Sequence, residues 1–227
     1  MTALREALLD GLKAVAQPER AGAMQAYMKS AMPYLGVSAV PLRQVCKRLF
    51  SELHYASSAD WQADVLAIWR GATFREERYG AIELSGIRAA RPFQTMAALG
   101  MYEEMIVTGA WWDIVDAIAG QRLIALLRAE PAAMKRTMLD WAVCDNMWKR
   151  RSAILCQLNA RSETDLALLE ACIAPSMASK EFFLRKAIGW ALRQHARTDP
   201  AWVAAYVKRH EARLSGLSKR EALKHIA

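Results

Sequence analysis

Four Ala-Ile pairs set the frame of this chain. Ala81-Ile82, Ala117-Ile118, Ala153-Ile154 and Ala187-Ile188 lie 36, 36 and 34 residues apart. Eight positions ahead of each alanine stand Thr73, Gly109, Asp145 and Ser179, all residue types accepted at a helix N-cap. The register therefore predicts helices that start near those four residues. Extending the period backwards by 36 lands on Val45, just after Arg43. Other amphipathic stretches lie between these helices, at Trp61–Trp69, Phe93–Ile106, Lys135–Ala142 and Asp165–Ile173. Two helices per period of this length are the mark of stacked helical hairpins, in which each hairpin buries its apolar face against its neighbours.

The start of the chain obeys the same rules. Leu4, Leu8, Leu12 and Val15 form one helical stripe, and Pro18-Glu19 opens a second helix that runs to about Lys29. Pro33-Tyr34-Leu35-Gly36 reads as a loop. No segment alternates apolar and polar residues as a half-buried strand would. The expected fold is all-α, a superhelix or solenoid of helical repeats with a concave side, forming one domain over residues 1–227 without a long linker.

Composition narrows the class of function. No apolar run is long enough to span a bilayer, and the N-terminus lacks the apolar block of a signal peptide. Cys46, Cys144, Cys156 and Cys172 form no CxxC pair and have no histidine at metal-ligand spacing, so buried free thiols in a reducing cytoplasm are expected, with no metal or cofactor. The net charge of +8 is uneven. Residues 1–134 carry 14 Lys and Arg against 14 Asp and Glu, whereas residues 135–227 carry 17 against 9. A one-sided basic region favours a polyanionic partner, nucleic acid before an acidic membrane surface.

The stretch Trp111-Trp112-Asp113-Ile114-Val115-Asp116-Ala117-Ile118 carries the chemistry. Residues four apart share a helical face, so Trp112 and Asp116 project together, a π-face beside a carboxylate that suits a cationic group. Gly109 or Thr108 is available as the cap of this helix. The repeat extends the stripe as Trp112/Asp116/Gly120, Trp148/Ser152/Cys156 and Phe182/Lys186/Trp190. One position earlier than the Asp116 register come Arg43, Tyr79, Val115, Arg151 and Arg185. Trp61, Trp69 and Trp141 are read as core, Asp113 as a first-turn helix carboxylate, and the four histidines form no triad with a nucleophile.

These stretches resemble the AlkD-type DNA alkylation repair glycosylases, whose fold is a superhelix of HEAT-like repeats. The matching residues are Tyr27-Met28-Lys29, Leu35-Gly36, Trp111-Trp112-Asp113 with Val115-Asp116, and Trp148 with Arg151-Ser152-Ala153-Ile154. Ser179-Lys180-Glu181-Phe182-Phe183, Lys186-Ala187-Ile188-Gly189-Trp190, Leu192-Arg193 and the C-terminal Leu217-Ser218, Arg220-Glu221-Ala222 and Lys224-His225-Ile226 complete the match. The resemblance implies an enzyme that releases N3- or N7-alkylated purines from duplex DNA in the cytoplasm, as a monomer without a cofactor. It implies Asp116 as the catalytic carboxylate, Trp112 and Trp190 as its aromatic partners, and Arg151 as a DNA-backbone contact. Arg193, Lys180, Arg43 and Tyr27 are further candidate DNA contacts. The segment Val37-Ser38-Ala39-Val40-Pro41-Leu42-Arg43 departs from the family, which tends to place a polar side chain and then Thr-Pro there, although Arg43 keeps a basic position. Two other functions share the fold class: a DNA-structure binder without activity, and a protein-binding helical scaffold.

Overall fold

The structure is a computed structural model that describes residues 2–226. Every regular element among them is helical, and the helical-repeat class expected from the sequence is the class observed. The backbone divides into two compact units, Met1–Met101 and Tyr102–Ala227.

The first unit holds α1 (Ala3–Lys13), α2 (Pro18–Met28), α3 (Ala39–Phe50), α4 (Ser58–Gly71) and α5 (Arg75–Ser85), followed by short 3-10 turns at Arg88–Phe93 and Met96–Ala98. Thr2 accepts a bond from the Arg5 amide to start α1, and Ser57 does the same for α4 through Asp60. Pro18 supplies the preset φ of a first helical residue in α2, which ends at Lys29 in the left-handed region. Leu8, Leu12, Val45, Trp61, Val65, Ile68, Trp69 and Leu84 form the core where α1, α3, α4 and α5 meet. Leu8 lies so close to Gly80 that a side-chain carbon there would stand 2.5 Å from the end of the leucine side chain, so any other residue at 80 would force Leu8 to shift.

Two buried acids tie this unit together. Glu76 accepts from the consecutive amides of Leu35, Gly36 and Val37 at 2.9–3.1 Å, pinning the loop ahead of α3 to the first turn of α5. Glu77 accepts from the amides of Thr73 and Phe74, the Thr73 hydroxyl and the Arg5 guanidinium.

The second unit holds α6 (Leu99–Gly109), into which the division falls, α7 (Trp112–Ile118), α8 (Ile124–Ala129), α9 (Pro131–Val143) and α10 (Met147–Leu155). It continues with α11 (Leu166–Ile173), α12 (Phe182–His195), α13 (Pro200–Arg209) and α14 (Gly216–Ala222). A single wide π turn over Ala119–Leu123 joins α7 to α8, and the Gly120 carbonyl within it accepts from Asn159 at 2.7 Å. Helix α10 is central, packed against α7, α9, α11 and α12. The repeat period shows directly in the ion pairs: Asp116–Arg151, Arg128–Glu163 and Lys186–Glu221 each join residues 35 apart.

The helix starts differ from the sequence reading by one or two residues. The cap positions are Phe74, Trp111, Asn146 and Glu181 rather than Thr73, Gly109, Asp145 and Ser179. Gly109 instead ends α6, and Ala110 takes a positive φ of 40° to turn the chain into α7. At α10 the Asn146 side chain, not Asp145, accepts from the amides of Trp148 and Lys149. Cap residue types flank one another here, so composition could not decide which neighbour takes the position. The stripe also differs: Trp148, Ser152 and Cys156 are buried, because α10 is covered on several sides. Trp61, Trp69 and Trp141 are core as expected. Cys46, Cys156 and Cys172 are buried free thiols, and burial pushes Cys46 and Cys172 up to about 12.

Candidate active site

The centre of the second unit is a carboxylate held by one arginine. Asp116 lies on α7 and Arg151 on α10, one repeat further on. Arg151 Nε donates to Asp116 Oδ1 at 2.7 Å and Nη2 to Oδ2 at 2.8 Å, a bidentate fork. The third guanidinium nitrogen, Nη1, donates to the Phe183 carbonyl in the first turn of α12. All three nitrogens are thus engaged, and the Arg151 side chain is only 5% exposed. Nη1 and Nη2 each keep one further N–H beyond these bonds, on a side chain that is almost wholly enclosed.

Asp116 is less enclosed, with 13% of its side chain exposed. Each carboxylate oxygen has a second lone pair beyond the one that Arg151 uses. Burial pushes the carboxyl above its ordinary range; the hydrogen bonds and charge of Arg151 oppose this, while Asp113 adds to it. An arginine cannot give up its charge, so removing either member leaves a buried ion without its partner.

Aromatic rings back this pair. Trp111 at the start of α7, Trp148 in the first turn of α10 and Phe183 in the first turn of α12 meet with centroids 6.0, 5.2 and 5.1 Å apart. The Arg151 guanidinium carbon stands 5.9 Å from the Phe183 ring. This cluster is a part of the site that the sequence reading did not assemble. The signal lies in the sequence, since residues 111, 148 and 183 recur at nearly the repeat period, but they stand six, five and four positions ahead of their repeat alanines, so no single register position shows all three. The Asp116–Arg151 pair was missed for the same reason: it links neighbouring registers of successive repeats.

The other expected site residues fall into three groups. Trp112 and Trp190 are half-buried on α7 and α12, and neither takes part in the aromatic cluster. Arg193 is half-buried and bonded to Glu221 at 2.6 Å, whereas Lys180 is exposed ahead of α12. Arg43 and Tyr27 belong to the first unit and are exposed there, Tyr27 to 74%. Among the described residues no three His, Cys, Asp or Glu side chains gather as a metal site. No helix among them is long and apolar enough to cross a membrane.

The second unit thus clamps a largely buried carboxylate with a bidentate arginine, beside an aromatic cluster, in an all-helical chain. Residues 8–226 match the family model described as DNA alkylation repair enzyme, and the chain belongs to that family. A solved structure described as a predicted DNA alkylation repair enzyme from Enterococcus faecalis superimposes with a TM-score of 0.83 at 30% identity, covering 93% of this chain and 97% of that one. No curated protein matches the chain. The protein is therefore an enzyme of DNA alkylation repair.

Proposed function

We propose that this enzyme is a DNA glycosylase that excises cationic N3- and N7-alkylated purines, such as 3-methyladenine and 7-methylguanine, from duplex DNA. The observation that carries this reading is Asp116, a largely buried carboxylate fixed at both oxygens by Arg151 and sharing a helical face with Trp112. An alkylated purine already bears a positive charge, so it leaves without a general acid. The C1′–N bond breaks with its electron pair passing to the base, which departs neutral, and positive charge develops on the sugar. A preorganised anion stabilises that oxocarbenium-like sugar and holds the water that attacks C1′ and releases its proton.

The aromatic partners would be Trp112 and Trp190, each contributing about 0.5–2 kcal/mol to a well-placed cation–π contact. Arg151 serves in this reading both to position Asp116 and, through the N–H groups it does not use there, as a DNA-backbone contact. Arg193, Lys180, Arg43 and Tyr27 remain the proposed duplex contacts, of which the cationic ones bind phosphate. Acting on chromosomal DNA, the protein would work as a cytoplasmic monomer. The deciding experiment incubates it with alkylated duplex DNA and quantifies free 7-methylguanine and 3-methyladenine. Released base supports the reading; tight duplex binding without release would make the protein a binder instead.

A further inference from the structure

We propose that Glu221 is the positioning residue of a phosphodiester grip formed by Lys186 and Arg193 on either side of Trp190. This rests on the reading above that duplex DNA is the substrate. Residues 186, 190 and 193 are spaced four and three apart on α12, so they share one helical face. One carboxylate from α14 spans them: Glu221 Oε1 accepts from Lys186 Nζ at 2.7 Å and Oε2 from Arg193 Nη1 at 2.6 Å. Lys186 and Arg193 keep 39% and 24% of their side chains exposed, unlike Arg151 at 5%, so both can reach a ligand. Each also keeps donors that Glu221 does not use, since an ammonium has three and a guanidinium five.

The carboxylate is held in place from behind. Ser215 caps α14, and the Ser218 hydroxyl donates to the Arg185 carbonyl at 2.9 Å. At Gly189 a side-chain carbon would stand 2.5 Å from Glu221 Cβ and 2.9 Å from the Ser218 carbonyl oxygen. Only glycine lets α14 seat this closely on α12. Lysine and arginine otherwise range over many rotamers, and fixing them before DNA arrives removes much of the ordering cost of contact. The hydrogen bond from Lys186 and the charges of Lys186, Arg193 and Lys224 hold the Glu221 carboxyl below its ordinary range against its slight burial, so it stays an anion. Two cations against one anion leave a net positive grip beside Trp190.

The test uses the full-length protein and measures binding to undamaged duplex across a salt series, release of 7-methylguanine, and thermal stability. Glu221→Gln should weaken duplex binding about three- to tenfold, even though it adds one net positive charge. Lys186→Gln with Arg193→Gln should flatten the log K against log salt slope by roughly two contacts at ~0.9 each, and adding Glu221→Gln to that pair should cost nothing more. Glu221→Asp keeps the charge but shortens the reach, so it should also weaken binding and provides a second variant should Glu221→Gln fold poorly. Tighter binding by Glu221→Gln would make Glu221 a mask and overturn the proposal. Equal weakening with and without the two cations would make it a mere brace and overturn it too. A wild type that binds duplex but releases no base would sink the glycosylase reading while the binding arm still judged this one. Unchanged Glu221 variants of an active wild type would sink this one alone, and absence of duplex binding would sink both.

Discussion

The two units both bury carboxylates, but Glu76 is satisfied by three backbone amides and Asp116 by one side chain. Backbone donors belong to a loop, so their capture fastens that loop to a helix and leaves the acid fully enclosed. A guanidinium grips from one side only, which leaves Asp116 partly reachable. The same chemical group is therefore glue in one unit and a poised charge in the other. The protonation behaviour of the units differs likewise. Burial pushes Glu77 up, yet the bonds from Phe74, Thr73 and Arg5 together bring its carboxyl below the ordinary range. At Asp116 burial prevails and the carboxyl sits above it.

The largest effect should come from breaking the side-chain grip. Arg151→Ala leaves Asp116 buried without its counter-ion and should cost about 3–5 kcal/mol of stability in urea titration. Asp116→Leu combined with Arg151→Met should recover most of that stability and none of the base release. If the pair variant regains activity, the carboxylate is not catalytic.

Next comes the charge alone. Asp116→Asn should slow release of 7-methylguanine by about two orders of magnitude, the scale of losing one electrostatic stabiliser, while duplex binding holds within a few-fold. Asp113→Asn is the paired control, since residue 113 lies about 60° around the helix from residue 116 at ~100° per residue. A collapse in the control with activity intact in Asp116→Asn would move the assignment to Asp113.

Glu76→Gln sharpens the other side of the comparison. Its amide NH2 faces donors, so about 1–3 kcal/mol of stability should disappear from the loop anchor. Release per folded molecule should change far less than in Asp116→Asn, and a greater loss of activity than of stability would give Glu76 a part in the chemistry.

Acid titration should separate the units by sign. The folded value of Glu77 lies below 4.5, so on acidification the unfolded chain takes the proton first. Its contribution is complete above pH 4.5 and is lost as pH falls through the folded value. The folded value of Asp116 lies above 3.8, so there the folded chain takes the proton first and acidification through that window relieves its burial. Glu77→Gln should accordingly lower stability at neutral pH and flatten the acid limb, whereas Asp116→Asn should not flatten it. The smallest expected effect is at the exposed cations: Lys180→Gln and Arg43→Gln should each reduce the salt slope of duplex binding by about one contact, ~0.9.

The sequence by itself determined the helical period and the face shared by Trp112 and Asp116. Both follow from the 3.6-residue turn and from apolar residues that must recur wherever one hairpin covers the next. It also carried the 35-residue separation of Asp116 from Arg151 and of Lys186 from Glu221, though not the fact that these are pairs. Only the tertiary structure decided where each arginine turns. Arg151 and Arg193 are the same residue type on successive repeats, yet one is locked inward by a buried aspartate and a carbonyl while the other is held at the surface by Glu221. A long side chain reaches several partners from one backbone position, and which it meets depends on how closely neighbouring helices pack. That closeness was set by glycines such as Gly189 and by loop amides such as those of residues 35–37, which no helical periodicity reports.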